Sequence, residues 1–87
     1  MIEKEIILAV GETDYKFKLD TEDYNRYINE LKPDDKVAPS ERLLRRTLVD
    51  KEQTPALNAL FDQGLAVEMA GWLAQEFRPQ VEILVKK

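Results

Sequence analysis

The only concentrated positive charge in this acidic chain comes from three arginines, Arg42, Arg45 and Arg46. Their spacing of i, i+3 and i+4 places them on one face of a helix. Guanidinium groups bind carboxylates and phosphates through paired hydrogen bonds, so this face suits an acidic partner helix or a phosphate backbone. The alternative is a solvated face that pairs with carboxylates of the same chain, which contributes about 0–1 kcal/mol per pair. We favour this second interpretation, because charge clusters on small helical surfaces are common.

Two pairs of adjacent acidic residues could also do chemistry, but each has a simpler structural explanation. Asp34 and Asp35 follow Pro33, and no third acidic residue stands at the spacing of a calcium-binding loop. We therefore interpret this pair as part of a turn. Glu22 and Asp23 lie where a helix should begin, and negative charge there complements the positive end of the helix dipole.

Two residue types that enzymes often use in catalysis are missing from this sequence. It contains no cysteine and no histidine, which removes disulfides, thiolate zinc sites, cysteine nucleophiles and the usual general base. It also contains no glycine-rich phosphate loop and no nucleophile elbow. The sequence therefore predicts a protein that is not an enzyme, with no catalytic residue, no cofactor and no metal site.

Length and composition predict one small domain with a thin core. A chain of 87 residues buries only roughly 60–65% of the surface that it exposes when unfolded. Its net charge of −4 disfavours nonspecific binding to nucleic acid or to anionic lipid. The longest apolar run, 6–10, is far shorter than the roughly 20 residues that span a bilayer. The first residues also lack the pattern of a signal peptide. We expect no nucleic acid and no membrane among the partners.

The first part of the chain, 2–20, has the pattern of a β-hairpin. Tyr15, Phe17 and Leu19 alternate with charged residues, which places the aromatic side chains on one face of a strand. Gly11 suits the first position of a two-residue turn, although a four-residue loop over 11–14 keeps the same faces. Either loop brings Tyr15 and Phe17 to the same side as the apolar residues of the first strand.

Four helices and a final strand are predicted after the hairpin. The predicted helices cover 21–32, 40–49, 54–63 and 65–78, and the predicted strand covers 81–86. Asp20 or Thr21 should cap the first helix, and Ser40 should be the N-cap of the second. The sequence thus predicts an α+β domain spanning 1–87. Its small antiparallel sheet comprises the N-terminal hairpin plus the C-terminal strand, and about four helices pack on one face.

The helix predicted over 65–78 is apolar over a wider face than a thin core readily covers. Trp72 lies at the edge of this face, where a tryptophan either closes over the core or anchors a partner. Core packing is our expectation, because a thin core needs large side chains. Gly71 costs about 1 kcal/mol relative to alanine within a helix, which hints at a close contact there. Because the apolar face is wider than the core can cover, we also predict that part of it, around Val67, Gly71 and Trp72, contacts an amphipathic helix of a partner.

Several stretches of the sequence are similar to one known family. They are Tyr-Asn-Arg-Tyr-Ile-Asn-Glu at 24–30, Lys-Val-Ala-Pro at 36–39, Leu-Leu-Arg-Arg-Thr at 43–47 and Val-Glu-Ile-Leu-Val-Lys-Lys at 81–87. Together they resemble small phage tail assembly chaperones over nearly the whole chain. The resemblance implies a helper encoded by a phage or prophage and working in the host cytoplasm. It would hold the tape measure protein soluble and help to recruit tail tube protein, and it leaves self-association open.

Two other classes of function also fit the sequence. One is a structural tail or head–tail connector component, and the other is a small nucleic-acid-binding regulator that uses the arginine face. In related systems a ribosomal frameshift extends a fraction of the molecules. The codons of Lys86 and Lys87 could form such a slippery tract. The alternative is that the two lysines are a solubilising end that also protects a sheet edge.

Overall fold

The computed structural model describes residues 2–79 and 81–86. Two strands are followed by four α-helices, with a short 3₁₀-helix, Lys51–Gln53, before the third. The elements are β1 (Glu3–Val10), β2 (Thr13–Asp20), α1 (Thr21–Glu30), α2 (Val37–Thr47), α3 (Thr54–Asp62) and α4 (Ala66–Phe77). The predicted α+β class is confirmed, with an antiparallel sheet of two strands.

The hairpin has the shorter of the two predicted loops. Val10 is paired with Thr13, so only Gly11 and Glu12 connect the strands. Gly11 has a φ of +64° and is the one residue of this loop with a positive φ, which is the pattern of a type II′ turn. This turn fixes a register that places Ile6 opposite Phe17.

One face of β2 forms the floor of the core. Tyr15, Phe17 and Leu19 are buried, while the residues between them are exposed. Helices α2 and α4 contribute most of the apolar side chains that cover this face. The buried helical residues include Leu43, Leu44, Leu57, Met69, Leu73 and Phe77. The residues of β1 on the same face are only half-buried, so the core is centred on β2 rather than on the hairpin as a whole.

The outer edges of the two strands differ. Along β2, the backbone N–H of Val49 donates to the carbonyl oxygen of Lys16 at 3.0 Å. The side-chain amide of Gln53 donates to the carbonyl oxygen of Asp14 at 3.1 Å. Between the described residues, no backbone hydrogen bond reaches the outer edge of β1. This edge therefore retains unpaired backbone groups.

The junction between the sheet and the helices is a capping box at the start of α1. The carboxylate of Asp20 accepts from the N–H of Asp23 at 2.8 Å, and the carboxylate of Asp23 accepts from the N–H of Asp20 at 3.1 Å. Asp20, one of the two predicted caps, is thus the N-cap. The guanidinium of Arg46 also donates to Asp23 at 3.1 Å, which ties α2 to this junction.

The predicted start of the second helix at Ser40 is wrong. Helix α2 begins at Val37, and Ser40 lies inside it with its hydroxyl donating to the carbonyl oxygen of Lys36 at 2.7 Å. Pro39 does not delay the helix, because first-turn N–H groups have no intrahelical acceptor to lose. The hydroxyl of Ser40 is fully buried, so this bond back to Lys36 satisfies it.

The predicted third strand is also wrong. Residues 81–86 form no strand, and Val81, Ile83 and Val85 are 65–87% exposed. Alternating apolar residues allow a segment to pair as a strand. Pairing also requires a free sheet edge that the segment can reach in a register that matches its side chains to those of the neighbouring strand. Helix α4 ends beside Lys4, whose ammonium lies 5.7 Å from the ring of Phe77, and the chain leaves the domain there. Lys87 lies outside the described residues.

Replacing the cap residue should destabilise the fold measurably. We expect Asp20→Ala to lower the free energy of unfolding by about 1 kcal/mol, because the N–H of Asp23 loses its acceptor. Urea denaturation followed by circular dichroism measures this change. Asp34→Ala removes a carboxylate from an exposed loop and should change the stability by less than about 0.5 kcal/mol. Equal effects of the two substitutions would contradict the role of the capping box.

Candidate partner-binding surface

Helix α4 buries one side in the core and leaves the other exposed. Val67 and Trp72, on the outer side, are 40% and 53% exposed, and Gly71 lies between them in the sequence. Ala66, Met69 and Leu73 are buried on the inner side. The expectation that Trp72 packs in the core is therefore wrong, since more than half of its surface is open to solvent. This exposed position is the one that the partner-anchor alternative requires.

Gly71 has no packing explanation within the described structure. A Cβ atom built on it would have no heavy atom within 4 Å, so no neighbouring helix requires a glycine here. A glycine in a helix interior costs about 1 kcal/mol relative to alanine. The predicted close contact is not made by the domain itself. A partner that approached α4 from outside the domain would account for a glycine at this position.

Val67, Gly71 and Trp72 all lie on the exposed side of α4. At about 100° per residue, Val67 and Trp72 lie about 140° apart around the helix, with Gly71 between them. Without a side chain at Gly71, the backbone of α4 is accessible between the flanking Val67 and Trp72. We call Val67, Gly71 and Trp72 the α4 saddle.

A second feature, missed from the sequence, lies on the other side of Trp72. A groove of about 670 Å³ runs between the exposed edge of β1 and α4. Its walls are residues 5–11 of the hairpin and the side chains of Leu65, Glu68, Met69, Trp72 and Glu76. The helical pattern of the sequence gives the faces of α4 but not its distance from β1, which is why sequence reasoning missed this β1–α4 groove.

The three arginines share one helix, but their contacts lead in different directions. Arg46 pairs with Asp23 at 3.1 Å, and Arg42 pairs with Glu30 at 3.5 Å, both on α1.

Arg45 points to α3 instead, where two of its nitrogens donate to the side-chain oxygen of Asn58 at 3.0 and 3.1 Å. Its guanidinium also lies 4.9 Å from the centre of the Phe61 ring. Carboxylates and an amide of the same chain thus serve all three arginines, as the solvated-face interpretation expects. No hydrogen bond or ion pair joins the arginines to the α4 saddle among the described residues.

The described residues contain neither a cluster of metal ligands nor a membrane-spanning helix. They hold no group of three or more acidic, histidine or cysteine side chains that could bind a metal ion. Their helices are all too short or too polar to cross a membrane. The saddle exposes apolar side chains, and the groove combines apolar residues with Glu5, Glu68 and Glu76.

Comparison with known proteins gives one family. Residues 6–87 match the sequence model of the phage tail assembly chaperone family, which is nearly the whole chain. Neither the curated proteins nor the solved structures gave a match. The resemblance carried by the sequence motifs is therefore confirmed by an independent comparison.

An alanine at position 71 should stabilise the isolated domain. We expect Gly71→Ala to raise the free energy of unfolding by about 1 kcal/mol, because alanine favours the helix and its Cβ meets open space. Thermal and urea denaturation both measure the change. Gly64→Ala is the matched control and should destabilise, because Gly64 has a φ of +82° that alanine adopts only with strain. A loss of stability in Gly71→Ala would mean that the saddle is not open.

Proposed function

Because the chain belongs to the phage tail assembly chaperone family, we propose that it binds the tape measure protein and keeps it soluble while tail tube protein assembles around it. This work takes place in the host cytoplasm. Holding a long polypeptide in solution requires an apolar binding surface and no catalytic group. The proposal therefore agrees with a non-enzymatic protein, and the exposed α4 saddle is the observation that supports it best.

The saddle fits an amphipathic helix of the tape measure protein. Such helices dock their apolar face into a groove or depression on the partner. An apolar side chain of the partner would lie over Gly71, with Val67 and Trp72 on either side. Tryptophan is enriched among the residues that contribute most to binding energy. The absence of a side chain at Gly71 permits a closer approach than any other residue would.

Charged residues near the saddle would set the orientation of the partner rather than its affinity. Glu68 and Glu76 lie one turn of α4 before and after Trp72, which favours a basic residue on the partner at these points. Arg42 and Arg45 are partly exposed despite their internal contacts. They would increase the association rate with acidic segments of the same partner.

Co-purification with the tape measure protein tests this proposal. The chain is co-expressed with a tagged tape measure protein, and the amount retained on the affinity resin is measured. We expect Trp72→Ala to reduce retention by at least tenfold, as the loss of a buried anchor does. Its melting temperature should change little, because the side chain is 53% exposed in the isolated domain. Ile28→Ala is the matched control, an apolar residue that is 43% exposed on α1.

A second variant separates a damaged fold from a blocked surface. Gly71→Leu should keep or raise the melting temperature, since its side chain enters open space, yet it should reduce retention by filling the saddle. Full retention by both variants would show that the partner binds elsewhere. Failure of the unaltered chain to retain the tape measure protein would reject the function itself.

A further inference from the structure

We propose that residues 81–86 of one molecule add as a strand to the free edge of β1 in a second molecule and fill its β1–α4 groove. We call residues 81–86 the C-terminal segment. The occupant of the groove is thus a second copy of this chain. The proposal concerns self-association and does not rest on binding to the tape measure protein.

The edge of β1 has a row of backbone groups directed outwards. In a two-residue hairpin the pair next to the loop exchanges both hydrogen bonds, and such pairs then alternate along the strands. The backbone groups of Glu5, Ile7 and Ala9 therefore point away from β2. The same alternation directs the carbonyls of Asp14 and Lys16 outwards on β2, and both accept hydrogen bonds there. The hydrogen bonds along the outer edge of β2 thus support the conclusion that the backbone groups of Glu5, Ile7 and Ala9 point outwards from β1.

The groove and the C-terminal segment have matching chemistry. The side chains of Leu8, Leu65 and Met69 contribute apolar surface to the groove. In the C-terminal segment, Ile83 and Val85 are more than 80% exposed within their own molecule. Exposed apolar residues that alternate along a segment are the pattern by which an extended peptide adds to a sheet edge.

One antiparallel register gives the added strand an apolar contact on both of its faces. Pairing Leu84 with Ile7 places Ile83 opposite Leu8, on the groove side. On the solvent side, Ile7 is 58% exposed in the isolated molecule, and Leu84 would cover it.

The charges agree with the same register. Lys86 falls opposite Glu5, which gives a cross-strand pair of opposite charge. In this register Lys86 shares the solvent side with Leu84, so it pairs with Glu5 on the outer face of the sheet. In the parallel direction, placing Ile83 opposite Leu8 puts Lys86 opposite Gly11, at the hairpin turn and away from Glu5.

The direction of the strand decides between a second copy and the molecule's own segment. Helix α4 ends beside the start of β1, because the ring of Phe77 lies beneath the ammonium of Lys4. A segment that turned back onto its own β1 from this point would run parallel to it. The antiparallel register requires the segment to enter from the opposite end, near Gly11, and a second molecule can supply it.

Engineered cysteines test this pairing directly, because the natural sequence has none. We make Ile7→Cys and Leu84→Cys as separate single variants, mix them and oxidise the mixture. The expected product is a disulfide-linked pair containing one chain of each variant, since paired strand positions lie within reach of a disulfide. A mixture of Ile28→Cys and Leu84→Cys is the control and should yield at most the background of random collisions.

Light scattering after size exclusion measures the same association without cross-linking. We expect the unaltered chain to have at least twice the mass of one chain, and Ile83→Asp to reduce it to one chain across a dilution series. Ile28→Asp adds the same charge at an exposed apolar site outside the groove and should leave the association unchanged. Trp72 is the only tryptophan and lines the groove, so its fluorescence should shift to longer wavelength in Ile83→Asp.

Two outcomes would overturn the proposal. One is a single-chain mass for the unaltered protein together with no mixed disulfide above the control. The other is a disulfide formed within one chain in the double variant Ile7→Cys/Leu84→Cys, which would show that the segment folds back in its own molecule. Neither result depends on the tape measure protein, so the proposed function is tested separately.

Discussion

Strand β2 is held on one face and along both edges, and the positions of the other elements follow from this. Phe17 on its inner face is fully buried, β1 pairs with one edge, and the backbone around Leu48 and Val49 pairs with the other. A hairpin alone is only marginally stable in water. The helices must therefore cover the face of β2 that carries Phe17. Since α2 ends at Thr47, its exit brings Leu48 to the edge of β2.

The same arrangement explains why β1 is only half covered. A domain of 87 residues has too little apolar volume to bury both strands and still cover the outer side of α4. The side chains of Ile6 and Leu8 remain partly exposed, and α4 leaves a groove along their edge. Apolar surface that cannot be covered internally is available to other polypeptides.

The features that the sequence predicted correctly depend on interactions between residues that are close together along the chain. The hairpin, its faces and the apolar sides of the helices follow from residue spacing and from the glycine at the turn. Ser40 was misplaced because a serine before an acidic residue suits an N-cap, whereas here its hydroxyl is satisfied inside the helix.

The remaining differences depend on distances between elements, which spacing along the chain does not give. Spacing placed Arg45 beside Arg46 but could not show that Asn58 and Phe61 would lie within reach of Arg45. Likewise it gave Trp72 a position at the edge of an apolar face without showing that the core would end before it. For the same reason the β1–α4 groove became visible only in the fold, where the separation of two elements defines it.

Trp72 borders both the saddle and the groove, so the two proposed contacts must influence one another. A strand in the groove would pack against one side of the indole and restrict its rotamers, which lowers the entropy cost when the other side binds a helix. By linkage, the partner helix would then strengthen the association between copies by the same factor. Chaperone molecules bound at successive sites of a long polypeptide would thus bind cooperatively. The physical origin of this coupling would be the position of Trp72, which is shared by the β1–α4 groove and the α4 saddle.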